Sequence, residues 1–228
     1  MSLTHKLASL ALVGALAGGA AACGGDDGSS SSAGASSTAT TAQSSTPAPA
    51  AKVDDLTGYS TKVTLDAGFV KALTSLKVTP GPVGDATISK AGVATFPITG
   101  GNVTYYKPGT VSPYVQGTID HAGSGLSLTA GGKKVELTDF VIDPGASVLT
   151  GKVSVDGQTA VPSAPLFFLD GTTLQALRTN ADGSKAVLEG TTVELKQEAA
   201  DLLNKTFGIS DLAGGLKIGV AKITINTK

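Results

Sequence analysis

The sequence predicts an all-β fold with two short helices, arranged as an antiparallel β-sandwich or a partly closed barrel. Three observations carry this expectation. About ten short extended segments follow one another at regular spacing, most of them ended by a Gly, Pro or Asp-Gly turn signal. The composition is 30 Gly, 15% charged and 4% aromatic with no Trp, which suits strands joined by tight turns. Only two stretches change from a period of two to a helical period.

The folded region is expected over residues 56–228 as a single domain. Val63 and Leu65 alternate as a strand. Asp66 then caps a short helix in which Phe69, Val70, Leu73 and Leu76 share a face. Pro80-Gly81-Pro82 reads as a turn or loop. Val93 to Phe96 with Ile98 reads as a strand, pushed to an edge or bulge by Pro97. Gly100-Gly101 reads as a hairpin turn, with Asn102 to Tyr106 returning. After a loop from Lys107 to Pro113, Tyr114 to Ile119 forms a strand that ends at His121.

Leu126 and Leu128 precede a turn at Gly131-Gly132. Val135, Leu137 and Val141 then share one face and Phe140 and Ile142 the other, as in a central strand. Asp143-Pro144-Gly145 and Asp156-Gly157 turn the chain on either side of Val148 to Val155. Pro165 to Leu169 is a fully apolar run and predicts a buried strand. Lys196 to Thr206 predicts a helix with Ala199, Leu202 and Leu203 inward and Gly208 ending it. Leu216, Ile218 and Val220 alternate, whereas Ile223 and Ile225 have the opposite parity, so the last strand carries a bulge or is covered on both faces. Val63-Thr64-Leu65 and Val193-Glu194-Leu195, each followed by a helix, predict two similar strand-to-helix corners.

The N-terminal residues read as an address. Residues 1–22 form a secretory signal: a short basic start, an apolar run from Leu7 to Ala17 too short to span a bilayer, and small residues before Cys23. Ala20-Ala21-Ala22-Cys23 resembles the lipobox of bacterial lipoproteins, with Ala20 standing where that pattern usually has Leu. The resemblance implies diacylglycerol on the Cys23 thiol and an acylated amine, of the palmitate type, so the membrane is the expected partner and the location extracytoplasmic. Residues 23–55 are a Gly/Ser/Thr/Pro linker without the apolar content to fold. A formal net charge of −1 offers no field for nucleic acid. The one cysteine excludes an internal disulfide and a Cys-rich metal site.

Catalytic constellations are missing parts. Beyond the N-terminal address there is one histidine, His121, and Gly123-Ser124-Gly125 lacks the spacing of a nucleophile elbow. Glu136, Asp139 and Asp143 read as solvated strand residues rather than a glycosidase pair. The three Asp-Gly pairs lack alternating calcium ligands. Tyr105, Tyr106 and His121 remain, because a tyrosinate or an imidazole can ligate haem iron. The alternative for them is a surface histidine beside tyrosines that cover a sheet edge.

Three blocks carry a family resemblance: Phe96-Pro97-Ile98-Thr99-Gly100-Gly101, the run from Gly117 to Leu126 (GTIDHAGSGL), and Val193 to Gly208 with its late leucine–alanine helix. They resemble, in the same order, the haem-transport-associated (HtaA-type) domain of actinobacterial surface proteins. The resemblance implies a mostly β domain at the cell envelope and haem capture through a tyrosine with a nearby histidine. Where the family has a Ser-Phe-x-x-Tyr-like element, this chain has Leu65 to Val70, with Phe69 and no tyrosine. Where it has a Gly-His pair, this chain has Thr129-Ala130. Any haem contact through Tyr105, Tyr106 and His121 therefore uses a different geometry.

The expectation is a non-catalytic envelope lipoprotein whose domain binds a ligand or serves the envelope structurally, with no cofactor required by the residues themselves. A haem-binding or haem-relay lipoprotein is the alternative, and an extracytoplasmic hydrolase is the third reading. An envelope protein or glycan is a further candidate partner.

Overall fold

The computed structural model describes residues 47–228. The signal segment, Cys23 and the linker as far as residue 46 lie outside the described residues. Ordered pairing begins at β1 (Ala51–Val53), a few residues before Leu56.

One antiparallel sheet contains thirteen strands. After β1 come β2 (Tyr59–Leu65), α1 (Ala67–Ser75), β3 (Thr79–Gly84), β4 (Thr87–Ile88), β5 (Val93–Pro97) and β6 (Gly100–Tyr105). The long strands β7 (Val115–Ala130), β8 (Lys133–Asp143), β9 (Val148–Val155) and β10 (Gln158–Asp170) follow as a meander. The short β11 (Arg178–Thr179), β12 (Lys185–Leu195), α2 (Gln197–Phe207) and β13 (Lys217–Asn226) complete the chain. The lateral order is β1-β6-β7-β8-β9-β10-β12-β13-β2-β5-β4, with β3 on β7 and β11 on β12.

The sheet curls into a half-barrel, so of the two predicted architectures the structure takes the partly closed barrel. The corner at Pro97–Gly100 brings its two sides together. Gly100-Gly101 is not a hairpin turn: β5 pairs with β2, whereas β6 pairs with β7. The chain steps here from one side of the curl to the other. Ile98 N–H donates to Tyr59 O at 2.8 Å and Thr99 N–H to Asp120 O at 2.8 Å, which ties both sides at one level. Gly101 sits at φ 110°, and a Cβ there would lie 2.1 Å from Thr118 O, so only glycine allows the approach.

Both predicted helices form, with the predicted caps. Asp66 accepts from Gly68 N–H at 2.8 Å, and α1 buries Phe69 and Leu73, whereas Val70 is left exposed. Gly208 ends α2 in the left-handed conformation at φ 69°, and Ala199, Ala200 and Leu203 are buried. The two strand-to-helix corners flank the same strand, since β13 pairs with both β12 and β2. Both helices therefore start from the same end of the half-barrel.

β8 is covered on both faces, as its sequence predicts. Leu137 lies toward α2 beside Ala199, Leu202 and Leu203, whereas Phe140 and Ile142 line the barrel interior. The irregular stretch between them, with Asp139 at φ 54°, accepts Gly123 N–H and Lys152 on the Asp139 carboxylate at 2.9 and 2.8 Å. The Pro80-Gly81-Pro82 stretch is not a loop but the edge strand β3 against β7. An edge tolerates prolines because it need not donate on its outer side.

Candidate ligand-binding cavity

The interior of the half-barrel is not filled. It holds a cavity of about 490 Å³, within the roughly 300–1,000 Å³ of ordinary small-molecule sites. Its walls come from inward-facing positions of β2, β5 to β10, β12 and β13, mostly Val, Leu, Ile and Phe. Phe96, Phe140 and Phe167 form an edge-to-face series across it, with ring centroids 5.4 and 6.4 Å apart.

The two ends of the cavity differ. The ends of β2 and β12 that lead into α1 and α2 lie at one extremity. Toward the other, Tyr105, Tyr114, Val115, Pro113, Pro144, Leu174 and Leu177 line the cavity, and β1 lies beside β6 there.

The candidate residues separate along this axis. Tyr105 is buried at the end of β6, and its ring meets that of Tyr114 edge to face at 5.9 Å. Both tyrosines line the cavity at its mouth. Burial, and after it the neighbouring Tyr105, raises the pKa of the Tyr114 phenol, so it stays protonated at neutral pH. Tyr106 is half-buried and is not among the lining residues. Its N–H donates to Tyr114 O at 2.7 Å, which closes the loop between β6 and β7. That pairing sets Tyr105 beside Tyr114. Tyr114 is the residue that sequence reasoning missed as a site candidate, and its signal is a tyrosine on each flank of one loop.

His121 lies six residues beyond Val115 on β7, about 20 Å along the strand from the mouth. It is not a surface histidine, being 1% exposed. Nε2 and the Thr61 hydroxyl on β2 share a hydrogen bond at 2.8 Å, a side-chain tie between the two sides of the curl. Nδ1 is buried without a well-formed hydrogen bond, facing the backbone carbonyls near Phe140 and Ile119. Burial pushes the imidazole pKa down to about 4, and those carbonyls offset only part of the shift. His121 is thus a neutral ring with one nitrogen engaged and the other enclosed. It fits an internal bolt better than an open ligand to iron.

No catalytic group gathers around it. The Ser124 hydroxyl donates to His121 O at 3.2 Å rather than to the ring. Among the described residues no cluster of His, Cys, Asp and Glu could hold a metal ion. Among the same residues no helix is long and apolar enough to cross a membrane.

Fold and cavity together define a curled, antiparallel β domain with two helices and an unfilled apolar interior. No protein-family model matches the chain, and no curated protein matches it in sequence. In structure it is similar to the C-terminal domain of HtaA from Corynebacterium glutamicum, with a TM-score of 0.52, 15% identity, and coverage of 75% of this chain and 98% of that one. The domain-swapped dimer of a histidine-to-alanine variant of the same domain aligns with a TM-score of 0.44 at 13% identity, over 71% of this chain and 92% of that one. The chain therefore has an HtaA-type fold, as its three sequence blocks led one to expect.

Proposed function

We propose that this domain is an envelope binding module that takes a large, flat, mostly apolar ligand of the haem class into the mouth of its half-barrel. The observation that carries the reading is the apolar cavity with a tyrosine pair at its open end. The HtaA-type fold and the sequence resemblance support haem over other apolar ligands. A purely structural role leaves the unfilled interior without a purpose, since cores normally pack to the density of organic crystals.

The residues fit haem in one way and not in another. The aliphatic and phenylalanine walls can take a porphyrin face, and a phenol oxygen of Tyr105 or Tyr114 can serve as an iron ligand once its proton is displaced. His121 does not suit that task, because Thr61 holds one ring nitrogen and the protein encloses the other. Bound haem would supply the iron that draws a proton from the phenol. The chain supplies the shape, the exclusion of water and the oxygen. On this reading the domain is a carrier rather than an enzyme, held at the membrane by lipid on Cys23.

Titrating the purified chain with haemin tests this. A saturable shift of the Soret band is expected, lost or strongly weakened in the double variant Tyr105→Phe, Tyr114→Phe. His121→Leu should keep the band position. Absence of saturable binding overturns haem as the ligand, and a band altered only by His121→Leu overturns the phenol assignment.

A further inference from the structure

We propose that the half-barrel admits its ligand by parting along the seam between β5 and β7, and that the hydrogen bond between His121 and Thr61 is the latch that holds this seam shut. The inference rests on the binding role argued above, in the general form of an apolar guest in the cavity. It adds a route and two gating residues to that role.

The pairing pattern locates the seam. β5 pairs with β2 and β4, and β7 with β6, β3 and β8, and among the described residues no ladder joins β5 to β7. Elsewhere around the curl the backbone holds neighbouring strands together: seven residue pairs join β13 to β2, and six join β6 to β7. Parting the wall at a ladder breaks several backbone hydrogen bonds at once, whereas the seam is held by few. The chain crosses the seam at the corner Pro97–Gly100 and again between β3 and β4. At the corner, Thr99 N–H donates to Asp120 O and Ala122 N–H to the Thr99 hydroxyl, both at 2.8 Å. At the second crossing, Asp85 N–H reaches Gly123 O at 3.4 Å.

His121 sits between these crossings. From β7 its ring meets Phe96 of β5 edge to face at 6.3 Å and reaches Thr61 on β2. Thr61 stands opposite Phe96 in the β2–β5 ladder, so one hydrogen bond fastens that pair of strands to β7. Both residues are buried, which shields the bond from water. Thr61, Phe96, His121 and Phe140 all line the cavity, so widening at the seam widens the cavity itself. The sheet behind β2 has a place to take up the motion. The β12–β13 ladder shifts register at Gly190, which sits at φ 107°, and a bulge of this kind bends a strand locally.

Two measurements without haemin test the latch and the route. Thr61→Val removes the hydroxyl at nearly constant shape, and Thr61→Ser keeps it as the control. In native-state amide exchange of the purified full chain, Thr99 and Ala122 report on bonds that cross the seam. They should exchange through an opening nearly independent of added urea, whereas Leu137 and Val153 in the central ladder should follow global unfolding. Thr61→Val should speed the two seam amides about tenfold, the usual weight of one buried hydrogen bond, and Thr61→Ser should leave them near wild type. Nile red, a flat, neutral, apolar dye, should enter Thr61→Val about tenfold faster than wild type in stopped-flow fluorescence, and Thr61→Ser at the wild-type rate. Seam amides that exchange only with global unfolding, or that keep their wild-type rate in Thr61→Val, overturn the latch. A dye that enters all three proteins at one rate, or none of them, overturns the route. Haemin is absent throughout, so failure here is separate from failure of the haemin titration.

Discussion

The capped end and the mouth of the half-barrel are built from the same strands and differ in how their interiors are used. At the helix end α1 and α2 bury Phe69, Leu73, Ala199, Ala200 and Leu203 against the sheet, α2 on its outer face, with only a smaller gap of about 170 Å³ beneath it. At the mouth the same curl leaves a cavity of about 490 Å³ rimmed by Tyr105 and Tyr114. His121 and Thr61 lie between, joining opposite sides of the curl by one hydrogen bond. The comparison sets a helix-packed end against an open, unfilled one, and the proposed binding role belongs to the second.

Substitutions should separate the two. Leu203→Ala at the capped end should cost about 3 kcal/mol of stability, within the usual 2–5 for a buried leucine, measured by urea unfolding. The fold of a fully lost Leu203 contact belongs to α2, so the haemin-binding midpoint should move little where the variant remains folded.

Acid should act next, through His121. Its folded pKa of about 4 lies below the usual 6.5, so between those values the unfolded chain binds more protons than the folded one. Stability contributed by the neutral ring is full above pH 6.5, falls as pH is lowered, and is gone below about 4. The loss from this group is on the order of 3 kcal/mol. In His121→Leu the dependence over that window should flatten, as urea midpoints across pH will show.

Thr61→Val leaves Nε2 of His121 buried without its partner and should cost about 1–3 kcal/mol. The double variant Thr61→Val, His121→Leu should cost less than the sum of its parts, because both polar groups are then gone. Asp66→Ala removes the cap of α1 and should cost about 1 kcal/mol in thermal unfolding. At the mouth, Tyr114→Phe should change stability by no more than about 0.5 kcal/mol while weakening haemin binding.

Local chemistry was readable in the sequence, and long-range closure was not. Asp66, Gly208 and the Asp156-Gly157 turn act within a few residues, and each does what its type favours. The two apolar faces of β8 follow from its alternating residues and the cover on each side. Gly100-Gly101 misleads because two glycines satisfy a hairpin and a crossing corner equally well. Only the pairing of β5 with β2 and of β6 with β7 distinguishes them. His121 reads as a strand-end residue because its burial depends on Thr61, sixty positions away. Tyr106 and Tyr105 are adjacent in sequence, yet only Tyr105 lines the cavity, with Tyr114 as its neighbour from across the loop.

The proposed division between a stable end and a binding end is most directly tested by adding ferric haemin to the isotope-labelled chain and recording which resonances its paramagnetic iron broadens. Broadening at Tyr105, Tyr114, Val115 and Ile142, with Leu73 and Leu203 in the helices left sharp, is the result the structure predicts. Broadening centred on the helices, or spread evenly over the domain, would contradict it.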